Sequence, residues 1–298
     1  MSIQSPIEEM YGIKVKEAVN VHDVIRIQTA TDTYCLKKYD FPEDKVRFIT
    51  RIFSWLEQSG FTRGQRALPT LMHSAYATYD GSHYTLTNWV DGRKPDFQHV
   101  DELKQAIRTL AKFHKISKGF PIEEAPPSRI LYSNLYHGIT GYRNELILYK
   151  HTEHLVPLCD EALEYLSHPF VVEAIAAEQR VSAFIHGDYN YSNLVKDKRS
   201  KLHVIDFDNA SLNVRMKDLS HILHRNFVWD ASGMLHWIDY YQQKRQLSQY
   251  DLTLLYALLI NPYPVYRSIK ISGLRHAKSV IPTKTQLKRF KRELRALL

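Results

Sequence analysis

His186-Gly187-Asp188-Tyr189-Asn190-Tyr191-Ser192-Asn193, followed after a hairpin-sized interval by Ile205-Asp206-Phe207-Asp208, is the stretch on which the fold of this chain turns. Around and between these pieces, VSAFIHGD, NLVKD and KLHVIDFD are short apolar runs flanking a polar turn, Asp197 to Ser200, which predicts strands folding back on one another. A hairpin of that length brings Asp188, Asn193 and Asp206 onto adjacent loops. Phosphoryl transfer needs such a set, because the transferred group requires a divalent metal to neutralise its oxygens and the acceptor hydroxyl requires a carboxylate to orient it and take its proton. Asp188 is the candidate carboxylate; Asn193 and Asp206 are candidate hard-oxygen ligands for magnesium. Asp206 alone could merely begin a turn. An acid flanked by Ile205 and Phe207, with Asp188 and Asn193 at this interval, is poorly explained by turn chemistry.

Upstream, VIRIQT and TYCLKKY are rich in β-branched and aromatic residues and are separated by Ala30-Thr31-Asp32, which predicts an antiparallel pair between Asn20 and Tyr39. From Pro42 to Gln58, Val46, Ile49, Ile52, Phe53 and Leu56 recur at three- and four-residue steps, the period of an amphipathic helix ending near Gly60. Asp80-Gly81 between two tyrosine-rich runs predicts a second hairpin. Beyond it the pattern turns helical: Leu103, Ile107, Leu110, Ala111 and His114 share one face of residues 101–118, and 141–178 and 234–260 are also helix-like. The expected fold class is therefore α+β, with a small antiparallel-sheet lobe (1–90) carrying one helix. It joins near Val90-Asp91-Gly92 a larger, mainly helical lobe (91–298) that holds the short catalytic hairpin.

Composition narrows the classes. With 298 residues, 44% of them hydrophobic, the chain has ample material for a substantial core. Forty Lys and Arg against 32 Asp and Glu give a formal charge of +8, which favours anionic partners. Cys35 and Cys159 match no metal or redox spacing, and no His or Cys cluster has zinc geometry. The N-terminus lacks a secretory pattern and no apolar run approaches the roughly 18 residues of a membrane span, so cytoplasmic synthesis is expected. No nucleic-acid-reading motif occurs, although scattered tyrosines could stack on bases.

His-Gly-Asp with Asn five residues beyond the Asp, then hydrophobic-Asp-Phe-Asp, resembles the signature of aminoglycoside phosphotransferases, choline kinases and homoserine kinases, which parallels the protein-kinase catalytic loop and metal-binding Asp. The resemblance implies a bilobal protein-kinase-like fold using ATP and Mg2+, with Asp188 catalytic and Asn193 and Asp206 on the metal. It further implies that Tyr34-Cys35-Leu36-Lys37 is the strand bearing the phosphate-binding lysine. The residues by themselves leave Lys37 and Lys38 equal candidates; the resemblance selects Lys37. Thr87-Asn88-Trp89-Val90-Asp91-Gly92 resembles the interlobe hinge, so that the Asn88 carbonyl and Val90 amide would hold adenine. Within the superfamily, the Cys-Leu-Lys strand and the tyrosine-rich basic lobe with Arg143-Asn144-Glu145-Leu146 are similar to CotS-type bacterial spore-coat proteins, which implies other coat proteins as partners and deposition on a spore.

Two departures from the family pattern bear on catalysis. No glycine occurs between Gly12 and Gly60, so the turn over the ATP phosphates lacks the residue that lets backbone amides approach closely. In the helix after Lys37, the place of the lysine-pairing Glu holds Phe48 or Ile49, with Glu43 and Asp44 the nearest acids. Two functions follow: a phosphotransferase for a hydroxyl of a small-molecule acceptor, and a kinase-fold coat scaffold with little catalysis. His186 is expected to bond the loop backbone, His114 to pack on the buried face of its helix, and Asp218 either to brace the catalytic loop or to cap a helix. Leu287, Phe290, Leu294 and Leu297 give the C-terminal helix a docking face with a solvated basic side.

Overall fold

The computed structural model describes residues 4–298. The first of its two compact units joins the segment ending at Pro95 to Pro121–Arg129 and Tyr191–Asn209. Its main sheet is antiparallel, with β1 (Glu17–Val21), β2 (Val24–Gln28), β3 (Thr33–Tyr39), β4 (Ala77–Tyr79) and β5 (Ser82–Asn88) in the order β1-β2-β3-β5-β4. Both predicted hairpins are present. The β4–β5 connection places Asp80 at φ 50° and Gly81 at φ 70°, the left-handed pair that matches strand twist in a two-residue turn. The sequence reading missed α1 (Gln4–Tyr11) and β1; Ile7 and Tyr11 of α1 and Val15 close a core with Ile27, Leu36, Tyr84 and Leu86.

Helix α2 (Glu43–Gln58) buries Val46, Ile49, Ile52, Phe53 and Leu56, the residues whose spacing predicted it. A second sheet of this unit has the order β6-β8-β9, from β6 (Gly92–Arg93) and the motif hairpin β8 (Leu194–Asp197) and β9 (Leu202–Val204). The Asp197 carboxylate holds the hairpin turn by accepting from the Arg199 and Lys201 amides, at 2.9 and 2.8 Å.

The second unit, Asp96–Phe120, Ile130–Asn190 and Ala210–Leu298, is helical apart from β7 (Phe184–Ile185) paired with β10 (Ser211–Leu212). The long apolar stretch predicted over 141–178 is divided into α4 (Asn134–Leu146), α5 (Val156–Leu166) and α6 (Pro169–Arg180). Pro157 and Pro169 set the breaks, since proline fits the first helical turn but not the interior. Helix α3 is Val100–Ile116, α7 Met216–Asn226, α8 Ala231–Gln242, α9 Gln249–Ile260, α10 Tyr263–Ala277 and α11 Lys284–Leu294. In α9 every residue from Thr253 to Ile260 is buried, as expected of a helix apolar on all sides at the centre of a bundle. Phe290 and Leu294 of α11 and the following Leu297 are buried, with the Phe290 ring edge-on to Trp229 at 5.3 Å; this is the docked C-terminal helix that the apolar stripe predicted. Among the described residues no helix is long and apolar enough to cross a membrane.

Candidate active site

Burial along β3 decides between the two lysines. Leu36 and Lys38 share the face that meets Ile27 and Leu86, yet Lys38 is exposed; Cys35, Lys37 and Tyr39 share the opposite face and all three are buried. Lys38 pairs with the exposed Asp40 at 3.0 Å. Lys37, only 9% exposed, places Nζ 2.7 Å from Asp206 Oδ1 and 2.8 Å from Asp208 Oδ2. Burial works against its charge, but the two carboxylates outweigh burial and raise the ammonium above its usual range. No helical glutamate is required: Glu43 is engaged by Arg47 and the Tyr76 hydroxyl, and the lysine takes both motif acids instead.

Asp206 sits at φ 65°, a left-handed conformation that costs a non-glycine residue energy and is held by its surroundings. Its amide donates to Gln65 Oε1 at 2.8 Å; the adjoining amides of Ile205 and Val204 donate to the carbonyls of Asn193 at 3.0 Å and Arg63 at 2.8 Å. Phe207 is buried edge-on to Phe53 of α2 at 5.7 Å, anchoring the acids on either side of it. Asp208 carries the more unusual environment. Burial, with repulsion from Asp206, raises its carboxyl in spite of Lys37, and Oδ1 is buried with no hydrogen-bond partner among the described residues. Two carboxylates thus share one ammonium with an acceptor oxygen to spare, a donor set that suits a hard divalent cation. Among the described residues no three His, Cys, Asp or Glu side chains converge as a complete cage.

The β1–β2 turn is His22-Asp23, with His22 at φ 56° supplying the left-handed step that glycine would normally provide. At the end of β5, the Asn88 side chain accepts from the Arg66 amide at 2.8 Å and its own amide donates to the Arg66 carbonyl at 3.1 Å. Val90 follows between β5 and β6, half-buried.

In the helical unit, Asp188 lies just beyond Gly187, whose φ of 83° turns the chain sharply after β7. Arg225 of α7 holds Asp188 Oδ1 at 2.7 Å. Asp218, seven residues earlier on the same helix, braces the loop: its fully buried carboxylate accepts from the His186 amide at 2.8 Å and the Gly187 amide at 2.9 Å. It does not cap α7, whose N-cap is Arg215. Burial opposes the Asp218 charge, yet these amides and the His114 bond at 3.4 Å hold its carboxyl below the usual range. His114, on the buried face of α3, is pushed down to about 4 by burial and pairs with the Tyr241 hydroxyl at 2.8 Å. The His186 ring accepts from the Asp188 amide at 3.3 Å, a backbone role. Arg225 and Gln65 escaped the sequence reading; Arg225 stands seven residues after Asp218, a spacing that puts both on one helix face, whereas nothing near Gln65 marks it.

A family model for APH, the phosphotransferase enzyme family, matches residues 19–253, which span both the β3 lysine and the paired Asp motifs. The chain belongs to the APH phosphotransferase family. Solved structures agree on the fold. An aminoglycoside phosphotransferase from Alicyclobacillus acidocaldarius aligns over 100% of this chain and 94% of its own, at TM-score 0.75 and 16% identity. An amicoumacin kinase in complex with AMP-PNP, Ca2+ and Ami aligns over 99% and 92%, at TM-score 0.63 and 15% identity. A spectinomycin phosphotransferase in complex with ADP and spectinomycin aligns over 99% and 96%, at TM-score 0.59 and 15% identity. The α+β class expected from the order of elements and the kinase-like fold implied by the resemblance are therefore the architecture of this APH chain.

Proposed function

We propose that this APH-family chain is an ATP- and magnesium-dependent phosphotransferase acting on a hydroxyl of a small-molecule acceptor. The reading rests on Lys37 bonded to both Asp206 and Asp208, with one Asp208 oxygen lacking a partner among the described residues. Residues 1–90 form the nucleotide-binding lobe and 91–298 the lobe with the catalytic and metal-binding loops. The Asn88 carbonyl and Val90 amide hold the adenine edge; the Val90 amide donates to no group among the described residues. Lys37 binds phosphate oxygens, exchanging part of its carboxylate pairing for them. Asn193 and Asp206 would hold Mg2+, with Asp208 beside them. Such an ion neutralises the charge on the transferring phosphate oxygens. Asp188, held in place by Arg225, orients the acceptor hydroxyl and takes its proton as the oxygen attacks.

A second reading, a kinase-fold spore-coat scaffold with coat proteins as partners, rests on the CotS-type likeness. It is favoured by one observation: His22-Asp23 stands where a glycine turn would let amides approach phosphates. The two readings separate in a calorimetric titration with ATP, with and without magnesium, on the protein and on Asp206→Ala. Magnesium-dependent binding lost in the variant supports the phosphotransferase; absence of binding at millimolar ATP overturns it and leaves the scaffold.

A further inference from the structure

Helix α7 presents more than its two loop-bracing residues. Lys217, Ser220, His221 and His224 follow at spacings of three, one and three, so they share one face, and this face walls a cavity of about 50 Å3. Asn134, Gly138 and Tyr142 of α4 form a second wall, and Asn261 and Tyr263 a third. Tyr263 stacks flat on His221, with centroids 4.8 Å apart and planes at 9°. The cavity communicates with the candidate catalytic carboxylate through one side chain, because Arg225 binds Asp188 and also interacts with the Tyr263 hydroxyl.

Three polar atoms of this cavity lack a partner among the described residues, one on Lys217 and one on each histidine. Lys217 Nζ has no hydrogen bond or ion pair among the described residues, and the carboxylate that acts on it, Asp218, is engaged by the amides of His186 and Gly187. His221 Nδ1 is buried without a partner. His224 donates through Nε2 to the Leu258 carbonyl at 2.9 Å, so its Nδ1, buried and unpartnered, is an acceptor. None of the residues lining the cavity is Asp or Glu. Burial, reinforced by the Lys217 charge, holds His221 down to about 3, and burial lowers Lys217 as well, against the raising effect of Asp218.

We propose that this cavity recognises an oxyanion on the acceptor, so that the molecule phosphorylated is a hydroxylated carboxylate or phosphate ester and not a polycation. The inference rests on the phosphotransferase reading and names its substrate class. The Lys217 ammonium receives the oxyanion, Ser220 and Asn261 line the same space, and an adjacent hydroxyl on the ligand donates to His224 Nδ1. A space of about 50 Å3 accommodates one such headgroup and leaves the remainder of the acceptor outside it. A polyamine would place ammonium groups against Lys217 with no carboxylate to pair them, a like-charge arrangement that disfavours binding.

The test is calorimetric titration of the full chain, without nucleotide, with gluconate, glycerol 3-phosphate, glucitol and kanamycin. Binding of gluconate or glycerol 3-phosphate at least about tenfold tighter than glucitol, reduced about tenfold in Lys217→Met and retained in Lys217→Arg, is the expected result. Which of the two oxyanions binds separates a carboxylate from a phosphate ester. If Lys217→Met does not melt cooperatively, Lys217→Gln takes its place with the same expectation. The proposal is overturned if glucitol or kanamycin binds as well as the oxyanions, if the charge-removing variant binds unchanged, or if neither oxyanion binds at about 10 mM. Because no nucleotide is present, failure here leaves the ATP titration untouched, and failure of ATP to bind leaves this result readable.

Discussion

The ammonium of Lys37 and the carboxylate of Asp206, 169 residues apart in the chain, stand 2.7 Å from each other, and Asp208 takes the same ammonium at 2.8 Å. Lys37→Met leaves two neighbouring carboxylates without their shared cation. Because both acids are partly exposed, the expected loss is about 1–3 kcal/mol, below that for a fully buried pair. Millimolar Mg2+ should raise the melting temperature of the variant more than that of the parent, by binding the uncompensated acids. An equal response of the two proteins to Mg2+ would count against a cation cradle at these acids.

Asp218 has a different task, since its two oxygens hold the amides of His186 and Gly187. Asp218→Asn offers one acceptor and sets an amide donor against the second N–H, an arrangement expected to cost about 2–3 kcal/mol. Phosphoryl transfer should fall through the turnover rate with ATP affinity little changed, because the displaced loop carries Asp188. A variant with unaltered turnover would show that the brace has no bearing on Asp188.

Glu178 of α6 is buried and accepts from the Arg215 amide and Nε, each at 2.9 Å, with Arg245 at 3.5 Å. Burial opposes its charge, but Arg215 and Arg245 hold its carboxyl below the usual range. Glu178→Ala strands two guanidinium groups and should cost about 3–5 kcal/mol, a fall of roughly ten degrees in melting temperature. A shift of only a degree or two would mean that water or another acceptor replaces the carboxylate.

Three buried histidines set the acid limb of stability. Burial lowers His114 and His224 from 6.5 to about 4, and His221 to about 3. The unfolded chain therefore binds more protons than the folded one as pH falls below 6.5. Stability is fully present above that pH and is lost between about 6.5 and 4, by up to about 1.4 kcal/mol per pH unit for each group. Melting curves from pH 7.5 to 4.5 should show this slope, and His224→Gln should make it shallower. A melting temperature constant to pH 5 would contradict the buried neutral state.

Much of the architecture is local chemistry and was legible without coordinates. Asp80-Gly81 marks a tight left-handed turn and the α2 apolar residues recur at helical spacing, whereas the breaks at Pro157 and Pro169 within 141–178 went unread. The joined motifs at Asp188, Asn193, Asp206 and Asp208 identified the family because they sit at fixed offsets around one hairpin. What remained open was every relation that depends on which face a strand or helix turns inward. Period-two alternation puts Lys37 and Lys38 on opposite sides of β3 but does not say which is buried: Lys38 lies on the side of Leu36 and is exposed, whereas Lys37 is covered only because Asp206 and Asp208 meet it from the distant motif. The same holds for α7, where Asp218 and Arg225 hold the loop after β7 while Lys217 and His221 line a cavity with residues of α4 and α10. Sequence spacing fixes which side chains travel together; only tertiary packing decides what they meet, because burial and pairing arise between segments distant in the chain.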